Sequence, residues 1–316
     1  MDFTHFISVD WGTSNLRVQL IKTPALEILE SIKLSEGVKI VFDRWRVEGG
    51  DREDLFLSLL KSQVESLKNP ITKTCPIIMS GMVSSSIGLR ELPYAQVPFG
   101  IDGKGLIINE IKGGTYLKNP IYMISGVRTN EDVMRGEEVQ MLGLIDKNYQ
   151  GEEMCFILPG THSKHILLND GLIIDFKTYM TGEIFEMLIK HSTLSEALEK
   201  VNEMDPSLFE QGVLRSVEGR SLLHEWFKVR TSHLLKKRSR VENHSYLSGL
   251  LIGEELRYLK TYPGKIRLAA GSSLYQQYVL ALKVLQLSNV EFVSKEEESL
   301  SVVKGQWKVL NIVYGS

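Results

Sequence analysis

A largely apolar run, Phe6-Ile7-Ser8-Val9, ends in Asp10. After Trp11-Gly12-Thr13-Ser14-Asn15 the apolar positions return at every second residue through Leu16, Val18 and Leu20. Period-two alternation on both sides of a short polar turn predicts a β-hairpin. Glu27–Leu34 reads as a third strand, closed by Glu36-Gly37. Asp51–Leu67 reads as a helix with Asp51 as N-cap and Phe56, Leu59, Leu60, Val64 and Leu67 on one face, stopped by Asn69-Pro70. Cys75–Ser80 is a short apolar strand suited to a sheet interior. Lys118–Ile124 is another strand, and a helix with Val139, Leu142 and Ile145 spaced by three follows.

The hairpin pattern then recurs. Met154–Pro159 and His165–Asn169 flank Gly160-Thr161-His162-Ser163-Lys164, and Asn169-Asp170-Gly171 turns into a further strand. Thr178–His191 begins a helical region that runs to about Leu235, and Leu247–Lys260 is a helix with Gly249 and Gly253 four apart. Those glycines suit close approach of another backbone or of a purine ring. Lys265–Ala270 is a strand, Gly271-Ser272-Ser273 a turn, Leu274–Leu287 an amphipathic helix, Val290–Val293 a last strand, and the tail from Glu296 one closing helix. Recurrence of the hairpin puts a domain boundary at 125/126, giving domains 1–125 and 126–316.

Composition narrows the class. The chain has 316 residues, 43% hydrophobic and 24% charged, as expected of a two-domain globular protein. A formal net charge of -2 gives no electrostatic case for nucleic acid or a membrane surface. The basic run Lys236-Lys237-Arg238-Ser239-Arg240 reads as a solvated helix end. No basic and then apolar leader opens the chain, and no apolar run approaches the length of a membrane span. Cys75 and Cys155 read as buried free thiols in a reducing compartment, so a cytoplasmic location is expected.

The chemistry-bearing residues cluster at turns. Gly12 lets backbone approach a ligand, Thr13, Ser14 and Asn15 add donors, and an acid at Asp10 beside a phosphate site makes sense with a metal ion between them. The alternative is an ordinary tight hairpin. Gly81-Met82-Val83-Ser84-Ser85-Ser86 follows a strand end, where its hydroxyls suit either a polyhydroxy substrate or a helix N-cap. Arg135 suits a substrate carboxylate or a neighbouring acid. His162 and Lys164 could neutralise a transferring phosphoryl group. A metal site at His162 and His165 is the weaker alternative.

Seven segments in order carry a family resemblance: Asp10–Arg17, Ser80-Gly81-Met82-Val83, Val133-Met134-Arg135-Gly136-Glu137-Glu138, Pro159-Gly160-Thr161-His162, Met180-Thr181-Gly182-Glu183, Leu247–Gly253 and Ala270-Gly271-Ser272-Ser273-Leu274. The chain resembles the 2-dehydro-3-deoxygalactonokinases of the acetate/sugar kinase, Hsc70 and actin superfamily. It departs at Ser84, where a glycine is common in the family. The resemblance implies two α/β domains of actin-like, ribonuclease H-like fold, each a five-stranded mixed sheet flanked by helices, with the active site in the interdomain cleft. It implies ATP-dependent phosphorylation of the 6-hydroxyl of 2-dehydro-3-deoxy-D-galactonate. Asp10 would orient Mg²⁺ through water. Gly12, Thr13, Ser14 and Asn15, with Gly160, Thr161, His162 and Lys164, would hold the phosphates, and Gly271 and Ser272 would border the adenosine. Gly136-Glu137 resembles the Gly-Asp pair that supplies the catalytic carboxylate in glycerol and xylulose kinases, so Glu137, or its rival Asp132, would be the general base. An acid at a helix start is also what macrodipole capping predicts. Arg17, Ser84, Ser85 and Arg135 would contact the sugar acid. The partners implied are ATP and a sugar acid, with a homodimer compatible. Rival readings are a kinase for another sugar acid or polyol, or a nucleotide-binding sensor without catalysis. A hydrolase lacks its Gly-x-Ser-x-Gly elbow here.

Overall fold

The computed structural model describes residues 3–145, 149–201 and 203–315, without the side chains of residues 272 and 273. In chain order the elements are β1 (His5–Trp11), β2 (Leu16–Lys22), β3 (Glu27–Leu34), α1 (Val38–Glu48), α2 (Arg52–Ser66), β4 (Ile77–Gly81), β5 (Ala95–Gln96), β6 (Phe99–Gly100), β7 (Ile108–Ile111), β8 (Ile121–Ile124), β9 (Val127–Arg128), β10 (Val133–Met134) and α3 (Glu137–Leu144). Then follow β11 (Met154–Leu158), β12 (Ser163–Asn169), β13 (Leu172–Tyr179), α4 (Thr181–His191), α5 (Pro206–Val217), α6 (Leu222–Lys236), α7 (Arg240–Leu256), β14 (Lys265–Leu268), α8 (Ser272–Val284), β15 (Val290–Phe292) and α9 (Lys295–Gly315).

The chain divides into two compact units. The first comprises Met1–Gly151, Asn169–Asp175 and Ser299–Ser316, and the second Glu152–Leu168 and Phe176–Glu298. Packing therefore assigns 126–151 and the end of the chain to the first unit, whereas recurrence of the hairpin put the division at 125/126. The reason lies in α3 and α9. Gly143 of α3 would drive a Cβ to 1.7 Å from the Ser301 carbonyl, and Gly305 of α9 would drive one to 1.9 Å from the Val139 carbonyl. The two helices thus touch backbone to backbone. Gln306 on α9 donates to the Val9 carbonyl (3.0 Å) and the Ser80 hydroxyl (2.9 Å), tying the pair to the first sheet.

The first unit's sheet runs β3-β2-β1-β4-β8-β7. The β1-β2 and β2-β3 pairs are antiparallel, β1-β4 and β4-β8 parallel, and β7-β8 antiparallel. The second sheet runs β15-β14-β11-β12-β13-β6, and its first five strands repeat the first sheet read from β8 to β3, with the antiparallel β11-β12 pair next to the parallel β11-β14 and β14-β15 pairs. Each sheet therefore has six strands where five were expected: the shared five, with β7 added at the edge of one and β6, paired antiparallel to β13, at the edge of the other. A three-stranded sheet, β10-β9-β5, stands apart. The opening strands are apolar because both faces of β1 and β4 are covered: Ile7, Val9, Ile77 and Met79 on one face, and Phe6 and Ile78 on the other, are all fully buried.

Helix α2 starts where expected, with the Asp51 carboxylate accepting from the Asp54 N–H at 2.9 Å, and buries Phe56, Leu57, Leu60 and Val64. Helix α1 was not foreseen. It buries only Val38 and Val41 and has no side-chain cap, so its apolar pattern is faint. Helix α7 begins earlier than the apolar run suggests, at Arg240, because Ser239 and Glu242 form a reciprocal capping box. The basic run is the junction between α6 and α7, with Lys237 in the left-handed region.

Gly249 and Gly253 serve a backbone rather than a purine. A Cβ on Gly249 would lie 2.1 Å from the Phe209 carbonyl of α5, and one on Gly253 2.3 Å from Ser216 Oγ. Gly212 of α5 meets the Tyr246 carbonyl of α7 in the same way, at 2.2 Å. Overpacking a contact between two main chains has no flexible side chain to yield. Gly249→Ala should therefore cost roughly 1–3 kcal/mol or more, at about 2–4 °C of melting temperature per kcal/mol. A thermal melt checks this, and an unchanged melting temperature would show that α5 and α7 can separate freely.

Candidate active site

The first candidate site lies at the C-terminal ends of β1 and β4. Register places Asp10 opposite both Arg17 on β2 and Ser80 on β4, and Arg17 opposite Lys33 on β3. Residues directly opposite on neighbouring strands share a face. A cleft of about 310 Å³ is accordingly lined by Asp10, Gly12, Thr13, Ser14, Asn15, Arg17 and Lys33. The turn is held from behind by α1: the carbonyls of Gly12, Thr13 and Ser14 accept from the N–H groups of Val38 (2.9 Å), Lys39 (3.2 Å) and Gly37 (3.2 Å). A Cβ on Gly37 would strike the turn's backbone at 2.2 Å, so glycine is required there. With three carbonyls engaged, the exposed side chains of Thr13, Ser14 and Asn15 are left to the open side.

Glu137 reaches the same place through two glycines. Gly81 (φ +93°) and Gly136 (φ +110°) both adopt left-handed backbone, and a Cβ on Gly136 would lie 3.3 Å from Gly81 Cα. A Cβ on Gly81 would lie 2.8 Å from the Trp11 carbonyl and 3.6 Å from Asp10 Oδ1. This stacking sets the start of α3 beside Asp10. Burial raises the Asp10 carboxyl above its ordinary range, Arg17 opposes that, and the Glu137 charge pushes it further up. Glu137 accepts from the Arg135 N–H at 3.1 Å. Asp132 sits elsewhere, in the loop between β9 and β10, where its carboxylate accepts from Val133 N–H at 2.7 Å.

The other first-unit candidates face inward. Ser84 Oγ donates to the Gly81 carbonyl (3.3 Å) and Ser85 Oγ to the Met82 carbonyl (2.7 Å), and both residues are buried. Arg135 donates to Ser84 O (2.6 Å), Ser84 Oγ (2.7 Å) and Leu92 O (3.4 Å), and its guanidinium lies 4.2 Å from the Tyr94 ring centre. It staples the 84–94 loop, and its charge also opposes the rise of the neighbouring Glu138 carboxyl.

In the second unit the turn Pro159–His162 joins β11 to β12. The start of α4 rests on it. A Cβ on Gly182 would lie 2.6 Å from the Gly160 carbonyl, and Glu183 N–H donates to the Thr161 carbonyl at 3.0 Å. His162 Nε2 pairs with the Glu183 carboxylate. Lys164 is buried on β12 and donates to the His162 carbonyl at 3.5 Å. His165 is buried apart from His162, bonded to Glu255 and Tyr258. A pocket of about 600 Å³, ample for a nucleoside, is lined by Gly160, Thr161 and Gly182 together with residues of α4, α7 and α8, among them Phe185, His244 and Tyr278. Gly271 is the N-cap of α8 and is not itself in that wall, and the Ser272 side chain lies outside the described residues.

Sequence reasoning missed Lys33, Glu138, Glu183 and Glu255. Lys33 joins the site only through strand register. Glu183 and Glu255 lie in the quoted Met180–Glu183 motif and just beyond Gly253, but nothing local marks their partners. Among the described residues Arg17 and Lys33 form no salt bridge with a protein carboxylate, and no group of three or more His, Cys, Asp or Glu is arranged to hold a metal. A divalent cation still fits one feature of the first turn: Asp10 and Glu137 repel each other, and a cation between them would relieve that.

Two α/β units with the same five-strand order, each opening on a hairpin whose polar turn faces a cleft or pocket, are the two-domain fold expected of an actin-like kinase. The family model described as 2-keto-3-deoxy-galactonokinase matches residues 10–308, and the chain belongs to that family. It is 32% identical over 289 residues to the 2-dehydro-3-deoxygalactonokinase of Escherichia coli (strain K12), covering 89% of this chain and 90% of that protein. A candidate 2-dehydro-3-deoxygalactonokinase of Rhizobium meliloti is 29% identical over 262 residues, 80% of this chain and 79% of that one. The crystal structure of a candidate 2-dehydro-3-deoxygalactonokinase from Sinorhizobium meliloti superposes with a TM-score of 0.83 at 27% identity, covering 98% and 99% of the two chains. Among the described residues no helix is long and apolar enough to cross a membrane.

Glu138, next to Glu137, is fully buried, and both its oxygens accept from Gly136 N–H (2.9 and 2.7 Å). Burial first, and the Glu137 charge second, push its carboxyl up to about 8. The folded-state value is raised, so the associated stability is full below the ordinary value of 4.5 and is lost as pH rises toward about 8. Glu138→Gln removes that dependence. The variant should melt with the native protein near pH 4.5 and above it by several degrees at pH 8, at roughly 2–4 °C per kcal/mol. Melting curves over this range check it, and a constant gap would show that Glu138 does not carry the proton.

Proposed function

We propose that the protein transfers a phosphoryl group from ATP to the 6-hydroxyl of 2-dehydro-3-deoxy-D-galactonate. Membership of the 2-keto-3-deoxy-galactonokinase family across residues 10–308 carries this reading. Phosphoryl transfer asks the protein mainly to position groups and to neutralise charge. Thr13, Ser14 and Asn15 in the first turn, and Thr161, His162 and Lys164 in the second, supply donors for the nucleotide phosphates. The pocket lined by Phe185, His244 and Tyr278 takes the nucleoside. Asp10 would hold Mg²⁺, and the cation, when bound, would supply charge neutralisation at the phosphates. Glu137 accepts the proton of the substrate hydroxyl, and its position beside Asp10 favours it over Asp132 as the base. Arg17 and Lys33, on one rung of the sheet, take anionic oxygens of the substrate. Arg135, Ser84 and Ser85 shape the loop that bounds the sugar acid. A homodimer and a cytoplasmic location are part of this reading.

Two measurements test it. ADP release with Mg²⁺ and ATP should depend on 2-dehydro-3-deoxygalactonate and be weak with its gluconate epimer across a panel of 2-keto-3-deoxy sugar acids. Release with none of them would overturn the substrate. Glu137→Gln should lower turnover by at least about a hundredfold, the scale of a lost general base. An unchanged rate would remove Glu137 from the mechanism.

A further inference from the structure

Glu255 on α7 is 1% exposed, yet none of the catalytic roles uses it. Its Oε1 accepts from His165 Nε2 at 2.9 Å, and its Oε2 accepts from the Tyr278 hydroxyl at 2.8 Å and from the Thr181 hydroxyl. These partners sit on three separate elements, β12, α8 and α4. Two of them, Thr181 and Tyr278, line the 600 Å³ pocket. A buried carboxylate can only accept, so every proton in the cluster points toward it. That fixes the direction of the next bond. Tyr278 gives its proton to Glu255, so it must accept from Ser163 Oγ, which lies 3.0 Å away. Ser163 in turn accepts from the N–H of Gly160, in the second turn, at 3.4 Å. On its far side His165 Nδ1 is hydrogen-bonded to the Tyr258 hydroxyl at 2.8 Å. One unbroken relay thus runs from Gly160 through Ser163 and Tyr278 to Glu255.

A plain structural role predicts no such geometry. A buried ion needs partners, and His165 with two hydroxyls already supplies them. The extension to the turn is the informative part. Ser163 is fully buried at the first residue of β12, and its hydroxyl could have bonded to strand backbone. Instead it ties the turn at Gly160 to the wall of the pocket. The relay also leaves the Thr181 oxygen free to accept, because its proton is committed inward.

We propose that Glu255 is a positioning residue for nucleotide binding: through Tyr278 and Ser163 it sets the second turn at Gly160, and directly it sets Thr181. This inference rests on the proposed use of ATP and deepens it, assigning the buried relay to the nucleotide rather than to the sugar acid.

The test uses the full chain with Tyr278→Phe, Ser163→Ala and Glu255→Gln. Tyr278→Phe keeps the ring and its packing and removes only the hydroxyl. Its dissociation constant for ADP by calorimetry, and its KM for ATP, should rise roughly tenfold, the scale of one hydrogen bond to a charged group. The KM for the sugar acid should stay within about twofold, since a loss confined to one ligand is far below that scale. Ser163→Ala should act in the same direction, and a double variant with Tyr278→Phe should lose less than the two singles together, as expected within one relay. Where Glu255→Gln fails to fold, these two variants still decide. Native-like ADP affinity in Tyr278→Phe and Ser163→Ala overturns the proposal, as does an equal rise in both KM values. ADP binding by the native protein without turnover of any sugar acid overturns the proposed function instead, and the change in ADP affinity still judges the relay.

Discussion

Each unit depends on a helix crossing with no side chain between the backbones. In the first unit Gly143 and Gly305 bring α3 and α9 together closely enough that any Cβ would meet a carbonyl carbon or oxygen. Because Gln306 fastens α9 to β1 and β4, the crossing fixes where α3 begins. Its beginning is where Glu137 stands. The second unit uses the same device at Gly212 and Gly249, and the helix it fixes, α7, carries Glu255. In both, an acid for which a role is proposed is placed by main-chain contact, which has few alternative arrangements, rather than by side-chain packing, which has many.

This constraint explains why the glycines of the chain divide into two kinds. Gly81 and Gly136 are required by left-handed backbone as well as by crowding, and they bring a strand end and a helix start together. Gly271, by contrast, has nothing within 4 Å of where a Cβ would lie and an ordinary φ. A glycine in a turn before a helix looks the same in sequence whichever kind it is. Only the neighbouring chain tells them apart.

Much of the architecture was legible because it is local. Period-two alternation around Asp10–Asn15 and around Gly160–Lys164 marks both hairpins, and Gly136-Glu137 stands at a helix start as its resemblance suggested. The shared strand order of the two sheets follows from the recurrence of that hairpin. What was hidden is non-local. Lys33 reaches the first cleft because β2 and β3 pair in one register, and a shift of one residue would turn it to the opposite face. Glu255 finds its partners on elements ahead of it and behind it in sequence. The 126–151 segment and α9 belong with the first unit through a crossing between residues far apart in the chain, which no composition shift announces. Helix α1 escaped notice for the opposite reason: it buries little of its own, and its position follows from the carbonyls of the first turn.

The two candidate sites handle negative charge differently, and the difference follows from what surrounds each acid. In the first unit Asp10 and Glu138 each lie close enough to Glu137 to feel its charge, and burial first and that charge with it raise both carboxyls. Such a cluster is costly when empty and becomes favourable only with positive charge added, which is the arrangement expected where a cation and a phosphoryl group must meet. In the second unit a lone buried carboxylate would repel a polyphosphate in the adjoining pocket. Glu255 avoids this by accepting from three donors, so that its charge is spread inward over His165, Tyr278 and Thr181. The first cluster thus favours an added positive charge, whereas the Glu255 carboxylate has its donors supplied from within its own unit.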